Sequence, residues 1–288
     1  MGLFNFKKDK RFFSEGDFNN DFNEEAEKAL TVYERMTKSG FKENSLAVFD
    51  FDFISDKNEK LNKLKDFFET NYLYKFNSIE KSDSNWLLNG KTSQLSFDED
   101  ALMFWVIDLF TKGFEFDCIL TGYGSLTDRN NLEFLDLTQN PSKYYYSKGL
   151  ECIGKRNFSN AIIDFTTSIR IDPNSKASFS ARGYCKEELQ VPKMAKNDYD
   201  KAIEIDPDFL EALMYRATNL DNAGEHDKAI LEYDKVVQLE PKNHLAFFNR
   251  GNSKYSLNNK ISACADWTKA KELGSEYAQE RLDIECKK

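Results

Sequence analysis

Four columns of residues recur at a spacing of 34 through the second half of this chain. Gly149, Gly183, Ala217 and Gly251 form a small-residue column. Ala161, Ala195, Ala229 and Ala263 form a second, and Phe165, Tyr199, Tyr233 and Trp267 an aromatic third. Pro173, Pro207 and Pro241 form the fourth, with Ser275 in its last place. A period of this length predicts a stack of helical hairpins, each unable to bury its apolar face alone. Such a stack offers a surface for holding another protein rather than a catalytic pocket.

Each column has a physical reason. Tyr145, Phe179, Leu213 and Phe247 stand four residues before the small residue on a first helix, and the small residue lets the partner helix approach closely. The alanine opens the inner face of the second helix, and the aromatic four residues later lies on that same face. Proline cannot continue the helix and ends the unit. These residues resemble the tetratricopeptide repeat, in four aligned units from Ser142 to Ser275. The segment Glu276 to Lys288 is expected to cap them, with Tyr277, Leu282 and Ile284 toward the last repeat. The resemblance implies an all-α solenoid with a concave groove lined by the first helices, where a protein or peptide would lie. By repeat phase the groove positions are Lys143, Tyr146, Tyr184, Glu187 and Glu211, followed by Met214, Phe248, Asn252 and Tyr255. Some of these would instead pack against neighbouring helices. Repeats that clamp chaperone tails carry a Lys/Asn/Asn/Lys/Arg set, but here Tyr146, Ser147, Ala181, Glu211 and Tyr215 stand in the comparable places. A chaperone-tail clamp is therefore not expected.

At 288 residues, two domains are the natural expectation. The net charge of −9 falls on the first 140 residues, whereas the remainder is balanced. An acidic half disfavours direct nucleic-acid binding, which needs basic groups to neutralise phosphates. It suits either a basic protein partner or simple solubility. The five cysteines are odd in number and include no C-x-x-C pair. Several fall in repeat helices, where Cys behaves as a small apolar residue, and a reducing cytoplasm is the expected setting. His226 and His244 lie in repeat turns, so neither a zinc site nor any cofactor is expected. Residues 1–20 are expected to be a flexible tail, with Leu3, Phe4 and Phe6 beside lysines as an alternative docking patch. The longest apolar run, from Ala101, meets Asp108 and is too short to span a bilayer, so no integral membrane association is expected.

In the first half, a helix is expected over Glu24–Lys38, stopped by Gly40. Leu46–Ile54 follows as a half-buried strand in which Phe49, Phe51 and Phe53 alternate with Asp50 and Asp52. A second helix starts at Ser55-Asp56 with Leu61, Leu64 and Phe68 inward. Strands are expected over Tyr72–Ile79 and Trp86–Leu95, with Lys81–Ser84 as their turn. Ser96-Phe97-Asp98-Glu99 reads as a capping box opening an apolar helix closed by Gly113. Phe114–Thr121 reads as the last strand, running into a Gly122-Tyr123-Gly124 turn. This βαββαβ order with a leading helix predicts a ferredoxin-like α+β domain over residues 21–125. Residues 126–141 are a linker in which Leu132, Phe134, Leu135 and Leu137 suggest a docking helix, and 142–288 hold the repeats.

The run Met36-Thr37-Lys38-Ser39-Gly40-Phe41, the Phe49–Phe53 strand, Trp105, Gly113, Phe116-Asp117 and Gly122-Tyr123-Gly124 carry a second resemblance. The segment from Ala29 to Tyr123 resembles the regulator of ribonuclease E activity B family, the ribonuclease E inhibitor B-like domains. That resemblance implies a ferredoxin-like fold, a bacterial source, and a partner that is an RNA-degrading enzyme or other basic RNA-processing protein. Where members carry Asp-Gly-Trp, this chain has Asp117-Cys118-Ile119.

Asp50 and Asp52 project from one strand face. Paired carboxylates can hold a metal or act as acid and base, but no histidine accompanies them in the first 140 residues. A solvated sheet face or a protein-binding edge fits them better. Asp117 and Tyr123 complete the candidate contact set of the first half, with core closure the alternative for Tyr123. With no nucleophile beside a base, the chain is expected to be a non-enzymatic regulator, or a general scaffold for complex assembly.

Overall fold

The computed structural model describes residues 11–43, 45–125, 127–128 and 130–286. The chain divides into two compact units, Met1–Thr167 and Ser168–Lys288. The candidate docking patch at Leu3, Phe4 and Phe6 lies outside the described residues.

The first unit opens with a long helix, α1 (Glu15–Lys38). It begins nine residues earlier than its apolar stripe indicates, because Ser14 caps it by accepting the Asp17 amide. Phe13, just outside the cap, is buried and packs edge-on against Phe18 one turn inside, a hydrophobic staple. Residues 11–20 are therefore anchored rather than frayed. Gly40, at φ +110°, follows the C-cap, as expected of a stop.

Seven strands and two helices follow: β1 (Ser45–Ala47), β2 (Phe49–Ser55), α2 (Asn58–Asn71), β3 (Lys75–Phe76), β4 (Glu80–Ser82), β5 (Asn85–Lys91), β6 (Leu95–Ser96), α3 (Glu99–Glu115) and β7 (Ile119–Ser125). An eighth strand, β8 (Glu133–Phe134), falls in the segment expected to be a linker and belongs to the first unit. The main sheet runs β3-β5-β2-β7 with every neighbour antiparallel, and β4 adds to β5. A small sheet joins β6-β1-β8. Along β2 the Phe49, Phe51 and Phe53 side chains are buried on one face while Asp50 and Asp52 occupy the other. Both α2 and α3 cover the phenylalanine face: Phe53 stacks on Phe68, and Phe51 meets Trp105. Helix α1 packs on the far side of α3, where Phe18 stacks on Phe114 with centroids 4.3 Å apart. Coverage on two sides explains why α3 is apolar all round.

Several expected boundaries are corrected. Gly113 does not close α3; a Cβ there would lie 2.8 Å from the Cys118 carbonyl oxygen and 2.9 Å from the Phe53 ring, so glycine serves close approach inside the helix. The last strand accordingly starts at Ile119, and Gly122-Tyr123-Gly124 lies within it. The cap of α3 is Asp98, which accepts the Ala101 amide at 2.7 Å, while Ser96 belongs to β6. Tyr72 and Tyr74 are buried but not paired, because Leu73 at φ +59° turns the chain before the two-residue β3. The docking helix expected from Leu132 to Leu137 is absent from the described residues: Glu133 and Phe134 pair with β1.

The repeats follow. Helices α4 (Ser142–Gly154) and α5 (Phe158–Ile171) form the first hairpin, which falls mostly in the first unit. The second unit holds α6 (Lys176–Glu188), α7 (Pro192–Ile205), α8 (Leu210–Asn222), α9 (His226–Leu239), α10 (His244–Ser256), α11 (Lys260–Glu272) and the short α12 (Ala278–Arg281), which passes into a π-helical turn at Leu282–Cys286. The columns do the packing expected of them. All four alanines and the column aromatics are buried. A Cβ on Gly149, Gly183 or Gly251 would lie 2.5–2.6 Å from Phe165, Tyr199 or Trp267 respectively. The prolines stand two residues beyond the ends of α5, α7 and α9.

Candidate functional site

The first-half candidates do not form one cluster. Asp50 and Asp52 share the sheet face opposite the phenylalanines, with the Asn89 amide donating to Asp52 at 2.5 Å. Tyr123 pairs with Phe51 and so lies on the other face, where its ring meets Trp105 edge-on. Its hydroxyl is buried without a partner among the described residues, and burial pushes it up to about 12. The candidate residue Asp117 is engaged within the chain. It accepts the Phe13 amide at 2.8 Å, the Phe12 amide at 3.1 Å and the Lys60 ammonium at 2.6 Å, with Arg11 at 3.6 Å. It thus holds down the segment before α1.

Burial works against the Asp117 charge, but Lys60 and the two amides outweigh it and hold the carboxyl below the usual carboxylate range. A depressed folded value means the stabilisation is complete above the unfolded value of about 3.9 and is lost as pH falls through the folded one. Asp117→Asn is expected to weaken the anchor at neutral pH and to flatten the acid limb of the stability profile. Thermal melts of both proteins from pH 2 to pH 7 would check this, and parallel acid limbs would contradict it.

In the repeats, the groove candidates Lys143 and Tyr146 lie on α4, with Tyr146 beside Phe165 (centroids 5.6 Å). On α6 and α8, Tyr184 faces Tyr215 at 5.6 Å, and the Asn219 amide donates to Glu187 at 2.6 Å. Ser180 donates to Glu211 at 3.3 Å, and Met214 packs against the Leu213–Tyr233 cluster. Phe248, Asn252 and Tyr255 are drawn into the last repeat. The Trp267 indole N–H donates to Asn252 Oδ1 at 3.1 Å, and the Tyr255 hydroxyl donates to Glu285 at 2.5 Å. Phe248 packs on the Trp267 cluster and approaches Tyr277.

Of the three residues expected to face the last repeat, Leu282 does so and Tyr277 and Ile284 do not. Ala278, Leu282 and Cys286, spaced by four, pack on Ala263 and Trp267. Tyr277 and Ile284 are 63% and 66% exposed. Cys264 and Cys286 are joined in a disulfide, with Cα atoms 5.9 Å apart. This corrects the expectation that the repeat cysteines act only as small apolar residues; Cys118, Cys152 and Cys185 remain free. The bridge spans 22 residues, and closing such a loop is worth about 3 kcal/mol. Reduction is expected to lower the unfolding free energy of the second unit by that amount, read from urea melts with and without dithiothreitol. Thiol titration of the unreduced, denatured protein should count three free groups, and five would contradict the bridge.

A further set of columns escaped the sequence reading. Lys148, Arg182, Arg216 and Arg250 recur at the same period of 34, as do Asp164, Asp198, Glu232 and Asp266. Each basic residue pairs with the acid sixteen positions later, at 3.4, 2.6, 2.5 and 2.6 Å. Arg216 also reaches back to Asp200 and Arg250 to Asp234, at 2.8 and 2.6 Å, which ties each of these repeats to the one before it. The signal was the period itself, applied to charge rather than to size.

Among the described residues no group of three His, Cys, Asp or Glu is arranged to hold a metal ion. Burial pushes the Cys118 and Cys152 thiols up to about 12, so neither offers a thiolate at neutral pH. A cavity of about 300 Å³ in the first unit is lined by Tyr72, Tyr145, Lys148, Cys152 and Asp164 among others, and Lys148 and Asp164 pair with each other there. No helix among the described residues is long and apolar enough to cross a membrane.

These hairpins, with their small, alanine, aromatic and proline columns in place, define a tetratricopeptide-repeat solenoid in the C-terminal half. The family model described as Tetratricopeptide repeat matches residues 142–175 and 178–209. Tetratricopeptide repeat protein 6 of Homo sapiens is 26% identical over 121 residues, which cover 41% of this chain and 23% of that protein. The chain thus spans about a quarter of the length of this curated relative. Among solved structures, YrrB, described as a TPR protein with an unusual peptide-binding site, is 20% identical. That match covers 62% of this chain and 83% of YrrB, with a TM-score of 0.46. MamA from Desulfovibrio magneticus RS-1 is 17% identical over 50% of this chain and 81% of its own, also with a TM-score of 0.46.

Proposed function

We propose that this protein is a non-catalytic adaptor whose repeats hold a protein or peptide partner and whose α+β part binds and modulates a second protein. The observation that carries the reading is the line of half-buried aromatic and carboxylate groups along α6 and α8, Tyr184, Tyr215 and Glu187, backed by the buried amide of Asn219. Aromatic rings held stiffly beside polar groups suit peptide recognition. The groove pairs its own Glu187 with Asn219, so an incoming donor would exchange with an amide already in place.

For the α+β part, the order β3-β5-β2-β7 with both α2 and α3 on one face matches the split βαβ arrangement. That match supports the ferredoxin-like reading and, with the resemblance over Ala29–Tyr123, keeps an RNA-degrading enzyme as the second partner of choice. In this reading Asp50, Asp52 and Tyr123 carry the contact, and Asp117, engaged with the segment before α1, supports them from within the chain. A cytoplasmic setting belongs to this same reading, and the Cys264–Cys286 bridge stands against it, because a reducing compartment keeps such thiols apart. A general assembly scaffold, with no ribonuclease link, is the second reading, and the repeats alone favour it.

The test uses the full chain as bait beside a Tyr184→Ala/Glu187→Ala variant. A partner held by the wild type and released by the variant supports the groove. RNA cleavage by the captured material, lowered by added full-length protein, supports the modulator reading. A partner retained equally by both baits removes the groove from the account.

A further inference from the structure

Strand β7 ends the main sheet: it pairs with β2 on one side and with no strand on the other among the described residues. Its outer backbone N–H and C=O groups are a template for one more strand. Two features of this edge go beyond what any sheet edge offers. Gly122 and Gly124 stand opposite Asp52 and Asp50 in register, and neither glycine has a side chain to screen the carboxylates from the edge. The carboxylates lean over the vacant positions: a Cβ on Gly124 would lie 3.2 Å from Asp50 Oδ1, and one on Gly122 3.4 Å from Asp52 Oδ2. On the opposite face of the same edge, a groove of about 420 Å³ separates α1 from β7, lined by Glu24, Glu27, Val32, Arg35 and Tyr123. The Tyr123 hydroxyl has no partner there among the described residues.

We infer that the free edge of β7 takes an extended segment of a partner protein with Lys or Arg at alternate positions, an interaction surface that deepens the proposed role of the α+β part and rests on it. An added strand would lie about 4.8 Å beyond β7. Side chains at alternate positions of that strand fall on the Asp50/Asp52 face, and a Lys or Arg stem easily crosses the glycines to reach the carboxylates. The residue between them falls on the α1 side, where an apolar body can enter the groove beside Val32 and the Tyr123 ring. Backbone pairing supplies affinity and the alternation supplies selectivity. The acidic balance of residues 1–140 assists approach of a basic segment. Asn89 and Lys91 on β5 bear on the same carboxylates, Asn89 by its bond to Asp52 and Lys91 by standing opposite Asp50, so the incoming cation competes with both.

The experiment is fluorescence anisotropy with the full-length protein and three labelled peptides. One alternates Arg and Val, one carries the same residues in two blocks, and one is the alternating peptide with N-methylated backbone. The alternating peptide is expected to bind at least tenfold more tightly than either of the others. Asp50→Asn/Asp52→Asn should lose about tenfold or more, and Gly122→Val, which fits at ordinary contact distance, should do the same by screening Asp52. Circular dichroism checks that both variants fold. Equal binding of the two isomers, indifference to N-methylation, an unchanged charge-neutral variant, no binding at all, or peptide-free dimerisation through the same residues would each overturn the inference. Capture of a partner that survives Asp50→Asn/Asp52→Asn would leave the proposed function standing while removing this one.

Discussion

Trp267→Ala is expected to lower the stability of the second unit by about 4 kcal/mol, within the range for emptying a buried large aromatic site. The ring is fully buried and fills the space that Gly251 leaves open, where any Cβ would meet it at 2.6 Å. Its indole N–H donates to the Phe248 backbone carbonyl at 3.3 Å and to Asn252 Oδ1 at 3.1 Å, so removal orphans acceptors as well as opening a cavity. The C-terminal segment rests on the same ring through Ala278, Leu282 and Cys286. Loss should therefore begin at that end, because a repeat array is stabilised by neighbour contacts. Urea melts combined with hydrogen exchange would read it, with protection lost first in α10 and α11. A loss below about 1 kcal/mol, or uniform loss along the array, would contradict this account. Trp267→Tyr, which restores the residue found at Tyr199 and Tyr233, should recover most of the deficit.

Asp108→Ala is the second large effect, expected at about 3–5 kcal/mol on the first unit. Asp108 is fully buried on α3. It accepts the Tyr72 hydroxyl at 2.9 Å, the Ser159 hydroxyl at 2.7 Å and the Ser159 amide at 3.3 Å. That amide belongs to the first turn of α5, so the carboxylate acts as a helix cap delivered from a different helix. Truncation takes away the acceptor of the Ser159 amide and leaves the Tyr72 and Ser159 hydroxyls only their longer bonds, to the Arg156 carbonyl oxygen at 3.1 Å and Asn157 Oδ1 at 3.4 Å. Burial raises the Asp108 carboxyl despite the opposing Lys112 charge and the Ser159 and Tyr72 hydrogen bonds. A raised folded value means this group favours the folded state most fully below about 3.9, and that contribution is lost as pH rises through the folded value. Wild type should therefore show a fall in stability on that limb that Asp108→Asn lacks. Chemical denaturation of both proteins across pH 4–8 is the measurement, and identical slopes would sink the assignment.

How much of this was legible beforehand follows from what kind of signal each feature leaves. The repeat columns are periodic, and the contacts they encode lie within one hairpin or between neighbours, so spacing alone locates them. The β2 alternation is equally local, and its buried phenylalanines follow from period two. The start of α1 was also written in the chain, since Ser14, Asp17, Phe13 and Phe18 form a cap and staple, but it was masked by a polar first turn. The ionic ladder from Lys148 to Arg250 was periodic too, and was missed because charges are commonly solvated and carry little expectation of packing.

Other features had no local signature. Gly113 looks like a helix stop, and only the approach of Cys118 and Phe53 explains why a glycine sits mid-helix. The pairing of Cys264 with Cys286 depends on how the last helix folds back, which residue counting cannot supply. Asp117 reads as a contact residue in the last strand until the amides of Phe12 and Phe13 arrive from more than a hundred positions away.

By itself the order of residues determined that this chain carries stacked helical hairpins, an alternating strand with acids on one face, and an acidic first half. Those properties depend on period and composition, which survive without knowledge of what lies opposite. Only the tertiary structure decided which acids are engaged and which lean toward an open edge. A carboxylate takes its role from the groups within a few ångströms of it, and in a folded chain those neighbours come from remote parts of the sequence.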